Sequence, residues 1–113
     1  MPTVMLMEWA GTTQDQYDSV MDALALDNDP PTGLVMHMAG PKEGGWRVIE
    51  VWESRGSLEA FMKERLMAAT QEAGWQGQPR IEFFDAYNLY APGLAVLADE
   101  GGSSLPPSRQ QTL

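Results

Sequence analysis

The chain has 113 residues, 43% of them hydrophobic and 20% charged, which fits one small domain with a single core. Its formal net charge of −9 argues against nucleic acid and anionic membrane surfaces as partners, because both are polyanions. The absence of cysteine removes disulfides, thiolate metal sites and a cysteine nucleophile, and a single histidine makes a zinc site a poor expectation, so no metal is implied.

The first residues, MPTVMLMEW, have no basic segment and reach Glu8 too soon for a signal peptide. No run approaches the roughly 18 apolar residues of a membrane span. A cytoplasmic protein is the expectation.

Residues 3–9 read as a first strand closed by Gly11 and Thr12. Thr13 and Gln16 then match a capping box, the pairing that satisfies two amides at a helix start. Tyr17, Val20, Met21 and Leu24 recur at helical spacing and form one apolar face, while Asp15, Asp18 and Asp22 read as a solvated acidic one. The two prolines of residues 27–32 (DNDPPT) mark a loop.

Two alternating strands follow, residues 34–39 and 46–53, around a turn containing Gly40, Pro41, Gly44 and Gly45. Ser54 or Ser57 can cap a second helix whose face carries Leu58, Phe61, Met62, Arg65, Leu66 and Ala69, and Gly74 suits its left-handed end. Residues 80–90 read as the last strand.

The order β-α-β-β-α-β is that of the ferredoxin-like α+β fold, one four-stranded antiparallel sheet with two helices on one face. Strand alternation leaves Val4, Leu6, Val35, Ile49, Val51 and Phe84 too numerous to face the helices together, so the second sheet face is expected to pair with a second copy. The domain is placed at residues 1–90. Residues 91–113 read as a C-terminal extension: an apolar stretch at 93–98 able to dock on a dimer mate, then a disordered tail from Gly101.

The element order, the turn AGPKEGGWRV and the junction VWESRGSLEAFMKERL resemble the dimeric α+β barrel superfamily, and within it the small antibiotic biosynthesis monooxygenases. Glu50 and Trp52 match the glutamate and aromatic that this group often carries before a helix. The resemblance implies a homodimer and a small-molecule pocket, with cofactor-independent oxygenation of an aromatic or polyketide-like substrate as one activity. It equally admits a non-catalytic ligand-binding or stress-response module. The chain departs from the group on its second helix, where Lys63, Glu64 and Arg65 stand in place of a frequent histidine.

The residues that could carry such chemistry lie in the hairpin. If Ala39 pairs with Trp46, His37 faces Val48 and lies diagonal to Glu50, and His37, Trp46, Val48, Glu50 and Trp52 share one sheet face. A one-residue slip would pair His37 with Ile49 and disperse the group. With the group intact, Glu50 can fix the His37 tautomer for proton abstraction, and Trp46 and Trp52 can flank a flat substrate. Arg47, Tyr87 and Asn88 are further candidates for holding an oxyanion.

A structural reading has equal standing at these positions. His37 can be a hydrogen-bonded strand residue, Glu50 can pair with Arg65 or Arg80, and the tryptophans can be core. Trp75, in the loop after the second helix, is expected at a pocket mouth or an interface.

Overall fold

Side-chain alternation along four strands decides what meets the helices and what does not. In the computed structural model, which describes residues 1–94, the strands are β1 (Thr3–Ala10), β2 (Leu34–Lys42), β3 (Gly45–Trp52) and β4 (Arg80–Asp85). They form one antiparallel sheet in the spatial order β2-β3-β1-β4. Helix α1 (Gln14–Leu24) joins β1 to β2. A continuous helical rod over residues 55–72 joins β3 to β4, in three parts: α2 (Arg55–Phe61), a π-helical segment (Met62–Leu66) and α3 (Met67–Glu72).

The helices begin and end where local chemistry directs. Thr13 and Gln16 form the reciprocal capping box of α1. The Ser54 hydroxyl accepts from the Ser57 amide to start α2. Gly74 ends the rod at φ +76°, a conformation that favours glycine. Arg65, in the π-helical segment, donates to the last-turn carbonyl of Leu24 at 2.7 Å, so the rod caps the end of α1.

The core lies between the sheet and the helices. Met5, Met7 and Trp9 of β1 and Trp46, Val48 and Trp52 of β3 meet Tyr17, Val20, Met21 and Leu24 of α1 and Leu58, Phe61 and Ala69 of the rod. Burying one large apolar side chain of this kind stabilises by about 1.5–3 kcal/mol. The opposite sheet face carries Val4, Leu6, Ile49, Val51 and Phe84, with Phe84 63% exposed, so the second apolar face anticipated from alternation is present.

Two boundaries differ from the sequence reading. β2 runs through Gly40 and Pro41 to Lys42, and the turn is confined to Glu43 and Gly44, with Gly44 at φ +77°. Proline is tolerated there because β2 is an edge strand, where a missing N–H removes no bond on the open side. β4 stops at Asp85, and Ala86 turns back to donate to the Pro2 carbonyl, which leaves Tyr87 and Tyr90 exposed beyond the sheet. The extension assigned to residues 91–113, with its docking stretch and its tail, lies outside the described residues from Ala95 onward. Among the described residues no helix is long and apolar enough to cross a membrane.

Candidate functional site

The β2–β3 register sets His37 directly across from Glu50. The pairing is displaced by two residues from the Ala39–Trp46 alignment expected from the turn: Ala39 faces Val48 and Pro41 faces Trp46. An even displacement preserves the sheet face, so the grouping of His37, Trp46, Val48, Glu50 and Trp52 on the helix side is observed. An irregularity between Leu34 and Met36 turns Val35 out to 50% exposure, and the alternation then carries His37 inward.

His37 is held at both ring nitrogens. Nδ1 lies 2.8 Å from Glu50 Oε2, and Nε2 lies 2.6 Å from the Tyr17 hydroxyl. A carboxylate accepts only, so Nδ1 carries the hydrogen; Nε2 of the neutral ring then accepts from Tyr17. The other carboxylate oxygen, Oε1, accepts from the Trp52 indole N–H at 3.0 Å. Tyr17, His37, Glu50 and Trp52 thus form one chain of hydrogen bonds that converges on the Glu50 carboxylate. Burial, and after it the charge of Glu50, push the Tyr17 phenol well above the ordinary range, which keeps its hydroxyl a donor.

Tyr17, His37 and Glu50 form the polar wall of a cavity otherwise lined by apolar side chains, among them Met5, Met7, Met21, Phe61, Leu66 and Trp75. About 30 Å³ of it is open to the centre of a water molecule, room for a few waters. Methionine makes up much of the wall and repacks more readily than branched side chains.

The other sequence candidates fall in different places. Trp52 is fully buried, outside the cavity lining, with its ring against Phe61, and it reaches the site only through Glu50. Trp46 is buried with its ring 5.3 Å from that of Tyr17. Arg47 points to the opposite sheet face, as alternation requires of a residue beside Trp46 and Val48. Tyr87 and Asn88 lie past the end of β4, exposed and away from the cavity. Glu50 pairs with neither Arg65 nor Arg80: Arg65 serves Leu24 and Asp29, and Arg80 serves Glu8 and Glu82. Trp75 does reach the cavity, donating its N–H to the Gln16 carbonyl and packing edge-on to Trp9.

Sequence reasoning passed over two residues. Tyr17 fits the apolar stripe of α1 so well that spacing alone gives its hydroxyl no role; the available signal is that a buried tyrosine needs a hydrogen-bond partner. Glu8, in the middle of β1, faces the open side of the sheet and is met by Lys42 at 2.8 Å, Arg47 at 2.9 Å and Arg80 at 3.2 Å. The hydrogen bond from Lys42, then that from Arg47, lowers the Glu8 carboxyl to about 2. Among the described residues no three His, Asp or Glu side chains converge on a metal-sized site.

No protein-family model and no curated protein matches the chain. Solved structures do share its architecture. The Rv0793 protein of Mycobacterium tuberculosis aligns with a TM-score of 0.61 at 11% identity, over 80% of this chain and 100% of its own. SnoaB, a cofactor-independent oxygenase from Streptomyces nogalater, aligns at 0.57 and 15% identity, over 78% and 94%. A dimeric ferredoxin-like protein of unknown function from Thermobifida fusca aligns at 0.57 and 14%, over 76% and 92%.

The fold is ferredoxin-like. At such identities the likeness is one of architecture, and the resemblance drawn from the hairpin and the strand–helix junction holds at that level. Within this ferredoxin-like frame the chemistry has to be argued from the chain's own side chains.

Proposed function

We propose that the protein binds a small hydroxylated aromatic molecule between sheet and helices and abstracts its hydroxyl proton, as a cofactor-independent oxygenase or a related proton-abstracting enzyme. The observation that carries this reading is the Tyr17–His37–Glu50 chain on the wall of an apolar cavity. Glu50 holds the imidazole with Nε2 unprotonated toward α1, the orientation a base needs. The electron-rich phenolate left behind would reduce O2 directly, with the apolar wall excluding water. The fold shared with SnoaB, a cofactor-independent oxygenase, adds support. Arg47, Tyr87 and Asn88, which lie away from the cavity, have no part in the proposed chemistry, and Trp52 acts by holding Glu50.

Oxygen uptake by the purified protein with a panel of hydroxylated aromatics tests it. Turnover lost in His37→Ala is the expected result. Equal rates in the two proteins would remove His37 as the base.

A second reading, a non-catalytic ligand-binding module, is favoured by one observation: both imidazole nitrogens already have partners inside the protein. Ligand-induced thermal shifts without turnover would favour this module.

In either case we propose a homodimer formed through the open sheet face. Val4, Leu6, Ile49 and Phe84 supply its apolar contact, and the dimeric neighbour from Thermobifida fusca supports it. A monomer by sedimentation at micromolar concentration would exclude it.

A further inference from the structure

Tyr17 presents to His37 the functional group that the proposed ligand would present. Its phenol lies 2.6 Å from Nε2, its ring is nearly parallel to the imidazole at 14°, and Trp46 packs on it at 5.3 Å. An aromatic hydroxyl compound seeking the same nitrogen would need the same position and the same ring neighbours. β2 is an edge strand and the His37 side chain keeps 14% exposure, so solvent beyond that edge gives the tyrosine ring somewhere to go. Met5, Met7 and Met21 line the space behind it and can repack around a new ring.

We propose that Tyr17 is a resident stand-in for the ligand: an incoming phenol or enol displaces its hydroxyl from His37 Nε2 and lies against Trp46 in its place. This rests on the reading of the cavity as a site for hydroxylated aromatics. Until a ligand arrives, Tyr17 keeps Nε2 as an acceptor and shields it from water. Displacement exchanges one phenol–imidazole hydrogen bond for another, so a hydroxylated ring enters at little net loss. A ring without a hydroxyl forfeits that bond. Tyr17 is therefore a positioning residue that every entering ring must displace, while selectivity for hydroxyls resides in the freed His37 Nε2.

The test compares two probes of one shape, 4-fluorophenol and 4-fluorotoluene, binding to the wild type and to Tyr17→Phe. Fluorine NMR gives the affinities. The ring signals of His37 need no assignment, because it is the only histidine.

If each probe must displace Tyr17, removing the hydroxyl tightens both by the same factor, about three- to tenfold for one hydrogen bond, and leaves their ratio unchanged. 4-Fluorophenol also shifts the imidazole signals. Tightening of the phenol alone, or of neither probe, overturns the proposal. Should Tyr17→Phe fail to fold, the wild type alone decides: imidazole signals unmoved by saturating 4-fluorophenol overturn it, and shifted signals support it.

None of these measurements involves turnover. Displacement without oxygen uptake would retain the stand-in and remove the oxygenase. Oxygen uptake that is lost in His37→Ala, with both probes bound equally tightly by wild type and Tyr17→Phe, would do the reverse.

Discussion

Trp52 and Glu50 stand two positions apart on β3, and the Trp52 indole N–H secures Oε1 of the carboxylate at 3.0 Å while Oε2 is left to His37. The two-residue period of a strand makes this contact possible, and the complete burial of Trp52 makes it rigid. Loss of the carboxylate takes the protein acceptor from a fully buried donor. Glu50→Ala is therefore expected to destabilise the fold by ~2–4 kcal/mol and Glu50→Gln by about half as much, since an amide oxygen still accepts one bond. Urea unfolding monitored by tryptophan fluorescence measures both, and equal stability of wild type and Glu50→Ala would refute the expectation.

Acid should act on the other sheet face. The Glu8 carboxyl is lowered from 4.5 to about 2 by the hydrogen bonds from Lys42 and Arg47. A depressed carboxylate contributes stability that is complete above its unfolded value and is lost as pH falls toward its folded one. Wild type should thus lose stability relative to Glu8→Gln between about pH 4.5 and pH 2. Parallel melting curves of the two proteins across that window would contradict the assignment.

Alkali should act through Tyr17. Its phenol is raised above the ordinary value of 10.0, chiefly by burial, so its contribution is present below pH 10 and declines as pH rises beyond it. Tyr17→Phe removes the titrating group. The slope of melting temperature against pH above 10 should be steeper in the wild type than in this variant.

Backbone contact fixes the turn end of the hairpin. A Cβ on Gly45 would lie 2.1 Å from the Trp9 carbonyl oxygen, whereas one on Gly40 meets nothing within 4 Å. Gly45→Ala is expected to cost ~3 kcal/mol by forcing β1 and β3 apart. Gly40→Ala should change stability by less than about 0.5 kcal/mol. Denaturation midpoints of the pair, set against wild type, decide the matter.

The element order was legible because each signal is local: a capping box at Thr13 and Gln16, prolines before β2, a glycine after the rod. The shared face of His37 and Glu50 was legible for a different reason. Alternation has period two, so mistaking the turn by two residues left every side chain on its proper side. The turn itself was ambiguous, since Gly40–Pro41 and Gly44–Gly45 are both turn signals and only the edge position of β2 decides between them.

Partnerships that cross elements were not legible. Tyr17 meets His37 across a helix–sheet interface, and Glu8 collects its cations from β2, β3 and β4. Nor does any residue pattern separate a π turn from an α turn where the apolar spacing suits either.

That π-helical segment has a consequence for how the rod tolerates change in length. A π turn holds one residue more than the α turn it replaces, and one residue in an α-helix is worth about 100° of rotation. The segment at Met62–Leu66 therefore works as slack in the chain. Losing one residue there would leave an ordinary helix, with Leu58 and Ala69 still turned to the core. Losing one elsewhere in the rod would swing half of its apolar face into solvent. The wall of the cavity that carries Phe61 and Leu66 is thus also where the rod can absorb a deletion.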